Sequence, residues 1–319
     1  MADVEAAAGR IAGQAVRTPL LTAPALDDAV GARVFVKPEC LQRTGSFKFR
    51  GAYNRLAMMT SAERAKGVVA ASSGNHAQGV AEAARLFGVP ATIVMPSDAP
   101  AIKRARTERS GAKVVPYDRD TEDRLAIAKA ITAETGGTYV APYDDPGVMA
   151  GQGTTGLEIA ADLSRLGVEA DHVLVPTGGG GLLSGTATAL KAKMPCAVCH
   201  SVEPEGFDDT ARSLESGARE TNAATSGSIA DALMAQSPGA ITFPVNRALA
   251  GKGYHVADEV LLHAMAFAAA ELKLITEPGG VIALAAALEA GAMFEGQTIV
   301  VVISGGNVDP DVFARALVR

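Results

Sequence analysis

Lys48 stands in the run Thr44-Gly-Ser-Phe-Lys-Phe-Arg-Gly51, between Phe47 and Phe49. A lysine is ordinarily a solvated surface cation. Flanked by two rings and small residues, this one is poorly placed to stay fully hydrated, and desolvation disfavours its ammonium form. A lowered pKa frees an amine that attacks carbonyls and forms a Schiff base. The alternative is a stem packed between rings with its head in water, and this segment alone leaves both open. Further along, His172-Val-Leu-Val-Pro-Thr177 has the pattern of a buried strand. It runs into Gly178, Gly179, Gly180 and Gly181 and then the helix-forming Leu182-Leu-Ser-Gly-Thr186. Strand, glycine loop and helix start make an anion site, because backbone N–H groups converge there and the helix dipole favours negative charge. No Lys-Ser/Thr follows, so this is not a Walker loop, and Gly-x-Gly-x-x-Gly fits it poorly.

Two more polar turns follow strand-like runs. Ala71-Ser72-Ser73-Gly74-Asn75-His76 opens a helix, and Ser73 or Asn75 serves at least as its N-cap. The density of small polar groups exceeds what a cap requires. Such a turn can take a carboxylate on backbone N–H groups while Asn75 reaches a ring oxygen. Ser304-Gly-Gly-Asn-Val-Asp309 is the third turn. A serine hydroxyl there can hydrogen-bond a pyridine nitrogen without protonating it. An amine for an aldehyde and a nest for a phosphate are the two halves of a pyridoxal 5′-phosphate site.

These turns need a scaffold that delivers strand ends to one place. Short β-branched runs alternate with Ala/Leu-rich amphipathic segments, which is an α/β pattern. Strands are expected at Arg33–Lys37, Gly67–Ala71, Ala91–Met95, Lys113–Pro116, Thr138–Ala141, His172–Pro176, Ala197–Val202 and Thr298–Ile303. Helices are expected at Asn75–Phe87, Ala99–Ser110, Thr121–Thr135, Gly153–Leu166, Leu182–Lys193, Asp258–Lys273, Pro278–Ala290 and Pro310–Val318. Near-continuous apolar strands such as Thr298–Ile303 suit a parallel sheet covered on both faces. The stretch 67–141 has the form of a compact unit of its own. The expected organisation is therefore a small domain, residues 52–141, inserted in a larger one, residues 1–51 and 142–319, with the site in the cleft between them. No appended regulatory domain is expected after Ser304.

The 319 residues have room for two such units, and 48% hydrophobic with 20% charged residues is an ordinary soluble balance. A net charge of −6, no basic block, nine Phe, five Tyr and no Trp argue against nucleic acid or an anionic membrane as partner. No apolar stretch reaches spanning length and no secretory pattern opens the chain, so a cytoplasmic location is expected. Cys196-x-x-Cys199 invites a zinc or redox reading, but no second pair follows and its context is strand-like, so ordinary burial is the better account.

Taken together, these elements resemble the fold-type II (tryptophan-synthase-β-like) pyridoxal-phosphate enzymes. The resemblance lies in the branch that holds serine racemase and the serine, threonine and 3-hydroxyaspartate dehydratases. It runs from Thr18-Pro-Leu20 to Ser304-Gly-Gly-Asn307, with the elements in the family's order. It implies two doubly wound lobes with the active site between them, a small amino acid as substrate, and a homodimer. Lys48 is similar to the family's Schiff-base lysine, with Phe47 against the cofactor ring. Asn75 matches the residue that bonds the ring 3-oxygen, Gly178 to Gly181 the phosphate loop, and Ser304 the partner of the pyridine nitrogen. Ser72, Ser73, Asn75 and His76 fall on the loop that receives the substrate carboxylate. Ser73 sits where serine racemase carries its second base, and a helix cap or a carboxylate contact is an equal account of it.

Glu203-Pro-Glu-Gly-Phe-Asp-Asp209 resembles the family's divalent-cation site, with Glu203, the Phe207 carbonyl and Asp209 as the matching ligands. Hard oxygen donors suit Mg²⁺, Mn²⁺ or Ca²⁺ better than zinc. Arg124 resembles the arginine that meets the second carboxylate of dicarboxylic ligands, and a guanidinium grips such a group bidentately. That favours 3-hydroxyaspartate, converted to oxaloacetate and ammonia, over serine or threonine. An ion pair of Arg124 with Glu122 or Asp120 is the competing account, and a pyridoxal-phosphate protein that binds without turnover is another. The chain departs from the family at Ala232, where glycine is frequent. Leu233-Met-Ala-Gln236 lacks the serine pair of serine racemase, which weakens a racemase reading.

Overall fold

Nine strands form two parallel sheets in a computed structural model that describes residues 1–318 other than Ser73, Pro100, Arg119 and Asp120, with only the backbone at Ala101 and Ile102. They are β1 (Arg33–Pro38), β2 (Val68–Ala71), β3 (Ala91–Pro96), β4 (Lys113–Tyr117), β5 (Thr138–Tyr139), β6 (His172–Pro176), β7 (Val198–Pro204), β8 (Tyr254–Val256) and β9 (Thr298–Ile303). One sheet has the order β1-β9-β6-β7-β8 and the other β4-β3-β2-β5, with every neighbouring pair parallel.

Strand β9 shows why its sequence is apolar throughout. Ile299, Val301 and Ile303 face one core with Val34, Val36, Leu174 and the helix Pro278–Glu289. Val300 and Val302 face the opposite core with Phe35, Val173, Val175, Leu163 and Leu183. Alternation along the strand thus feeds two layers of helices, and a charge on either face would be buried. The smaller sheet repeats the plan. Val68, Ala70, Ile93 and Met95 pack with Ala77, Val80 and Ala81 of the helix Asn75–Phe87, while Val69, Ala71 and Val94 pack with Ala128.

Several helices begin where local chemistry dictates. Asp145 caps the helix Pro146–Leu166 by accepting the Val148 N–H at 2.9 Å, and Pro146 fills the first helical position. This helix was expected only from Gly153, and the Asp-Pro start signal lies seven residues earlier in the sequence. The helix expected from Thr121 starts at Arg124, behind the Asp123 cap. The helix Lys48–Ala57 was not expected at all, and the boundary proposed between residues 51 and 52 falls inside it.

That helix is held by charge and close approach. Arg50 is fully buried, donates to both Glu39 oxygens at 2.7 and 2.8 Å, and donates to both Glu158 oxygens at 2.7 and 2.9 Å. Lys37 Nζ reaches the same Glu158 at 2.7 Å, so two cations and two carboxylates balance in the interior. Backbones also touch: a Cβ at Gly151 would stand 2.5 Å from the Arg50 carbonyl oxygen.

Candidate active site

A cavity of about 390 Å³ opens at the carboxyl ends of β2, β5, β6 and β9, the place where open α/β sheets receive ligands. Its wall brings together Lys48, Asn75, Arg124, the Gly178–Gly181 loop and Ser304, from segments far apart in the chain. Lys48 is the first residue of its helix. The turn before it is pinned to the end of β9, where the Phe47 N–H donates to the Ser304 carbonyl at 3.1 Å and Ser46 bridges Gly305.

The Lys48 ammonium donates to the Pro142 carbonyl at 2.8 Å and lies 5.1 Å from the Phe47 ring centroid. Burial lowers its pKa to about 8, and the nearby Glu277 carboxylate partly opposes that shift. The desolvation inferred from the flanking phenylalanines is therefore the dominant effect. Glu277 in turn is pushed up to about 7 by burial, against the hydrogen bond it accepts from Asn75 Nδ2 at 2.6 Å. Asn75 is held at both ends, since its Oδ1 accepts from Asn307 Nδ2 at 2.7 Å. The second Nδ2 hydrogen has no acceptor among the described residues and can serve a ligand oxygen.

His76 also lies on the cavity wall, but its Nε2 pairs with the Val140 carbonyl at 2.8 Å and its buried Nδ1 has no partner among the described residues. Burial, with the Lys48 charge beside it, lowers its pKa to about 3, so the ring is neutral and offers a carboxylate no cation. Ser72 is half-buried at the cavity and accepts the Gly74 N–H at 3.2 Å, which shapes the turn. Ser73 lies outside the described residues.

The glycine loop is crowded from behind. A Cβ at Gly179 would stand 2.2 Å from the Tyr143 ring, and one at Gly181 would stand 2.5 Å from Gln152 Oε1. Gly180 has φ 89°, a left-handed conformation that turns β6 into the helix Gly181–Lys193. The first N–H groups of that helix have no acceptor within it and are available to an anion. Tyr143 and Gln152 were missed in the sequence. Their only local signal was the Pro142-Tyr-Asp-Asp-Pro146 turn.

Arg124 opens its helix, is exposed, and has no hydrogen-bond or ion-pair partner among the described residues. Of its two expected competitors, Glu122 instead accepts the Asp118 N–H at 2.7 Å, and Asp120 lies outside the described residues. The acidic turn lies apart from the cavity wall. Both Glu203 oxygens accept backbone N–H groups, from Thr210 at 2.9 Å and Ala211 at 2.8 Å. Burial and the neighbouring Asp209 hold the Glu203 carboxyl well above its usual range, and burial pushes Asp209 up to about 7. Asp209 Oδ2 is buried without a partner among the described residues, as an oxygen awaiting a donor or cation would be. Among the described residues no group of three or more His, Cys, Asp or Glu is placed to hold a metal. A cation here would need carbonyl and water ligands beside the two carboxylates.

A buried amine of lowered pKa beside a glycine loop whose N–H groups have no acceptor among the described residues fits pyridoxal 5′-phosphate. Comparison with known proteins agrees. The family described as pyridoxal-phosphate dependent enzyme matches residues 11–305. The chain is 46% identical over 315 residues to the L-threo-3-hydroxyaspartate ammonia-lyase of Pseudomonas sp, covering 99% of this chain and 97% of that one. It is 40% identical to the serine racemase of Schizosaccharomyces pombe, covering 99% and 96%. The crystal structure of the T.th. threonine deaminase superposes with a TM-score of 0.92 at 45% identity, covering 97% of this chain and 98% of that one. Matched in sequence and fold over nearly its whole length, the chain belongs to the pyridoxal-phosphate-dependent enzyme family.

Proposed function

We propose that this chain is an ammonia-lyase that dehydrates 3-hydroxyaspartate to oxaloacetate and ammonia. The observation that carries the substrate choice is Arg124, a guanidinium unpaired among the described residues, on the wall of the cavity that also holds Lys48. Similarity to a hydroxyaspartate ammonia-lyase supports it. Bound pyridoxal phosphate supplies an electron sink that acidifies the hydrogen on the substrate α-carbon. Lys48 would hold the cofactor, and its Nζ is the base that would take that proton. The N–H groups of Gly178 to Gly181 would hold the phosphate, Asn75 would donate to the ring oxygen, Phe47 would support the ring, and Ser304 would serve the pyridine nitrogen. Ser72, Asn75 and His76 would receive the α-carboxylate through backbone N–H groups, and Ser73, on its sequence position alone, is assigned to the same carboxylate contact and to proton transfer. Arg124 grips the distal carboxylate, which serine and threonine lack.

The test is an oxo-acid assay on 3-hydroxyaspartate, serine and threonine. Arg124→Ala is expected to raise KM for hydroxyaspartate about tenfold or more, as for a lost charge-assisted pair, and to change KM for serine far less. Equal effects would overturn the substrate assignment in favour of serine or threonine dehydration. No product from any substrate despite a bound yellow cofactor would favour a binding protein.

The same reading gives Glu203, the Phe207 carbonyl and Asp209 a divalent cation, Mg²⁺, Mn²⁺ or Ca²⁺, in a structural role. It also divides the chain into lobes of residues 52–141 and the remainder, and pairs two copies in a homodimer in the cytoplasm. A monomer by sedimentation would remove the dimer from it. No described helix is long and apolar enough to cross a membrane.

A further inference from the structure

We infer that Gln152 is a positioning residue that couples Lys48 to the glycine loop. Its side chain is fully buried on the cavity wall, in the second turn of the helix Pro146–Leu166. Its Nε2 donates to the Pro142 carbonyl at 3.3 Å, the same oxygen that takes the Lys48 ammonium at 2.8 Å. Its Oε1 is buried without a partner among the described residues and is the atom nearest to where a Gly181 Cβ would stand, 2.5 Å away. One amide thus touches the acceptor that holds the amine and faces the loop offered to phosphate.

The residues beside it explain why it stays there. A Cβ at Gly151 would stand 2.5 Å from the Arg50 carbonyl oxygen, and one at Gly153 would stand 2.8 Å from the Gly185 carbonyl oxygen. The backbone at position 152 is therefore clamped between the helix that carries Lys48 and the helix that the glycine loop opens. A buried acceptor without a donor costs stability, so its persistence calls for an N–H brought into the cavity. The amine of an amino acid, or that of Lys48 once it leaves Pro142, has the right chemistry. The amide supplies donor and acceptor together, with no net charge beside a phosphate.

A carboxylate cannot do this, and a protonated carboxyl can do it in part. The inference rests on family membership and stands whichever hydroxy amino acid is the substrate. Gln152→Glu puts a negative charge against the Pro142 carbonyl and the phosphate loop. Its dissociation constant for pyridoxal phosphate, read by absorbance titration of the apoprotein, is expected to exceed that of the parent about tenfold near pH 8. The gap should close to about threefold or less near pH 6 as the buried carboxyl takes a proton. Gln152→Leu should show a deficit that does not close with acid. Gly291→Ala, where a Cβ would stand 2.9 Å from the Val30 carbonyl outside the cavity, should lose thermal stability without any pH-dependent gap. The inference is overturned if Gln152→Glu tracks the parent at every pH or if Gly291→Ala reproduces the gap. Should Gln152→Glu not fold, parental cofactor affinity in Gln152→Leu overturns it.

Discussion

Glu277 sets how readily Lys48 becomes a nucleophile, and Glu277→Gln isolates that effect. Lys48 titrates at about 8 where an ordinary lysine titrates at 10.5. Near pH 7 that leaves roughly one amine in ten neutral, about 300-fold more than an unperturbed side chain would offer. Burial lowers the pKa and the Glu277 charge raises it, so removing the charge must lower it further. Glutamine keeps the shape and still accepts from Asn75 Nδ2. For a charge several ångströms away at an effective dielectric of about 20, the change is about two pH units. Because Glu277 itself titrates at about 7, the wild-type carboxyl is protonated in acid and already resembles glutamine. The two proteins should therefore react alike below about pH 6 and diverge above 7, where the wild type carries the carboxylate. The assay is the rate of imine absorbance after mixing apoprotein with pyridoxal phosphate, followed from acid to alkaline pH. A wild-type midpoint near 10.5 would refute the burial argument. A midpoint that rises in Glu277→Gln would refute the electrostatic one.

Arg50→Leu strands the buried Glu39 carboxylate and should cost about 3–5 kcal/mol in urea unfolding, the range for removing one partner of a buried pair. Arg50→Lys should recover only part of that, since an ammonium cannot serve two carboxylates bidentately, and a loss of less than about 1 kcal/mol in the leucine variant would contradict the network. Chelation is expected to lower the melting temperature of protein purified with Ca²⁺ or Mg²⁺, and added cation to restore it. Asp209→Asn should abolish the difference, and indifference of the parent protein to chelator would remove the cation from the acidic turn.

The parts of the fold that were legible are those whose signal is local. Strands His172–Pro176 and Thr298–Ile303 and the helix Asn75–Phe87 have the bounds expected of them, because each carries its own periodicity and its own turn residues. The helix Lys48–Ala57 was not legible. It contains Gly51, has no capping side chain, and is held instead by Arg50 on Glu158, 108 residues away. Strand β8 was missed because three residues carry too little pattern, and its place is fixed by pairing with β7. In the site, Lys48, the four glycines and Ser304 announce themselves through their neighbours. Tyr143 and Gln152 do not, since their roles depend on what crosses the loop from behind.

The order of residues along the chain determined the chemistry on offer: an amine among rings, a run of N–H groups at a helix start, and polar turns closing apolar strands. Short-range sterics and solvation decide such features, so they are written in adjacent letters. Only the folded chain decided how far each group is shifted and who its partner is. Asn75 meets Glu277 across 202 residues, and that carboxylate then tunes Lys48. Burial and Coulomb interactions depend on distance through space, which a linear sequence does not record until the two sheets and their helices close around the cavity.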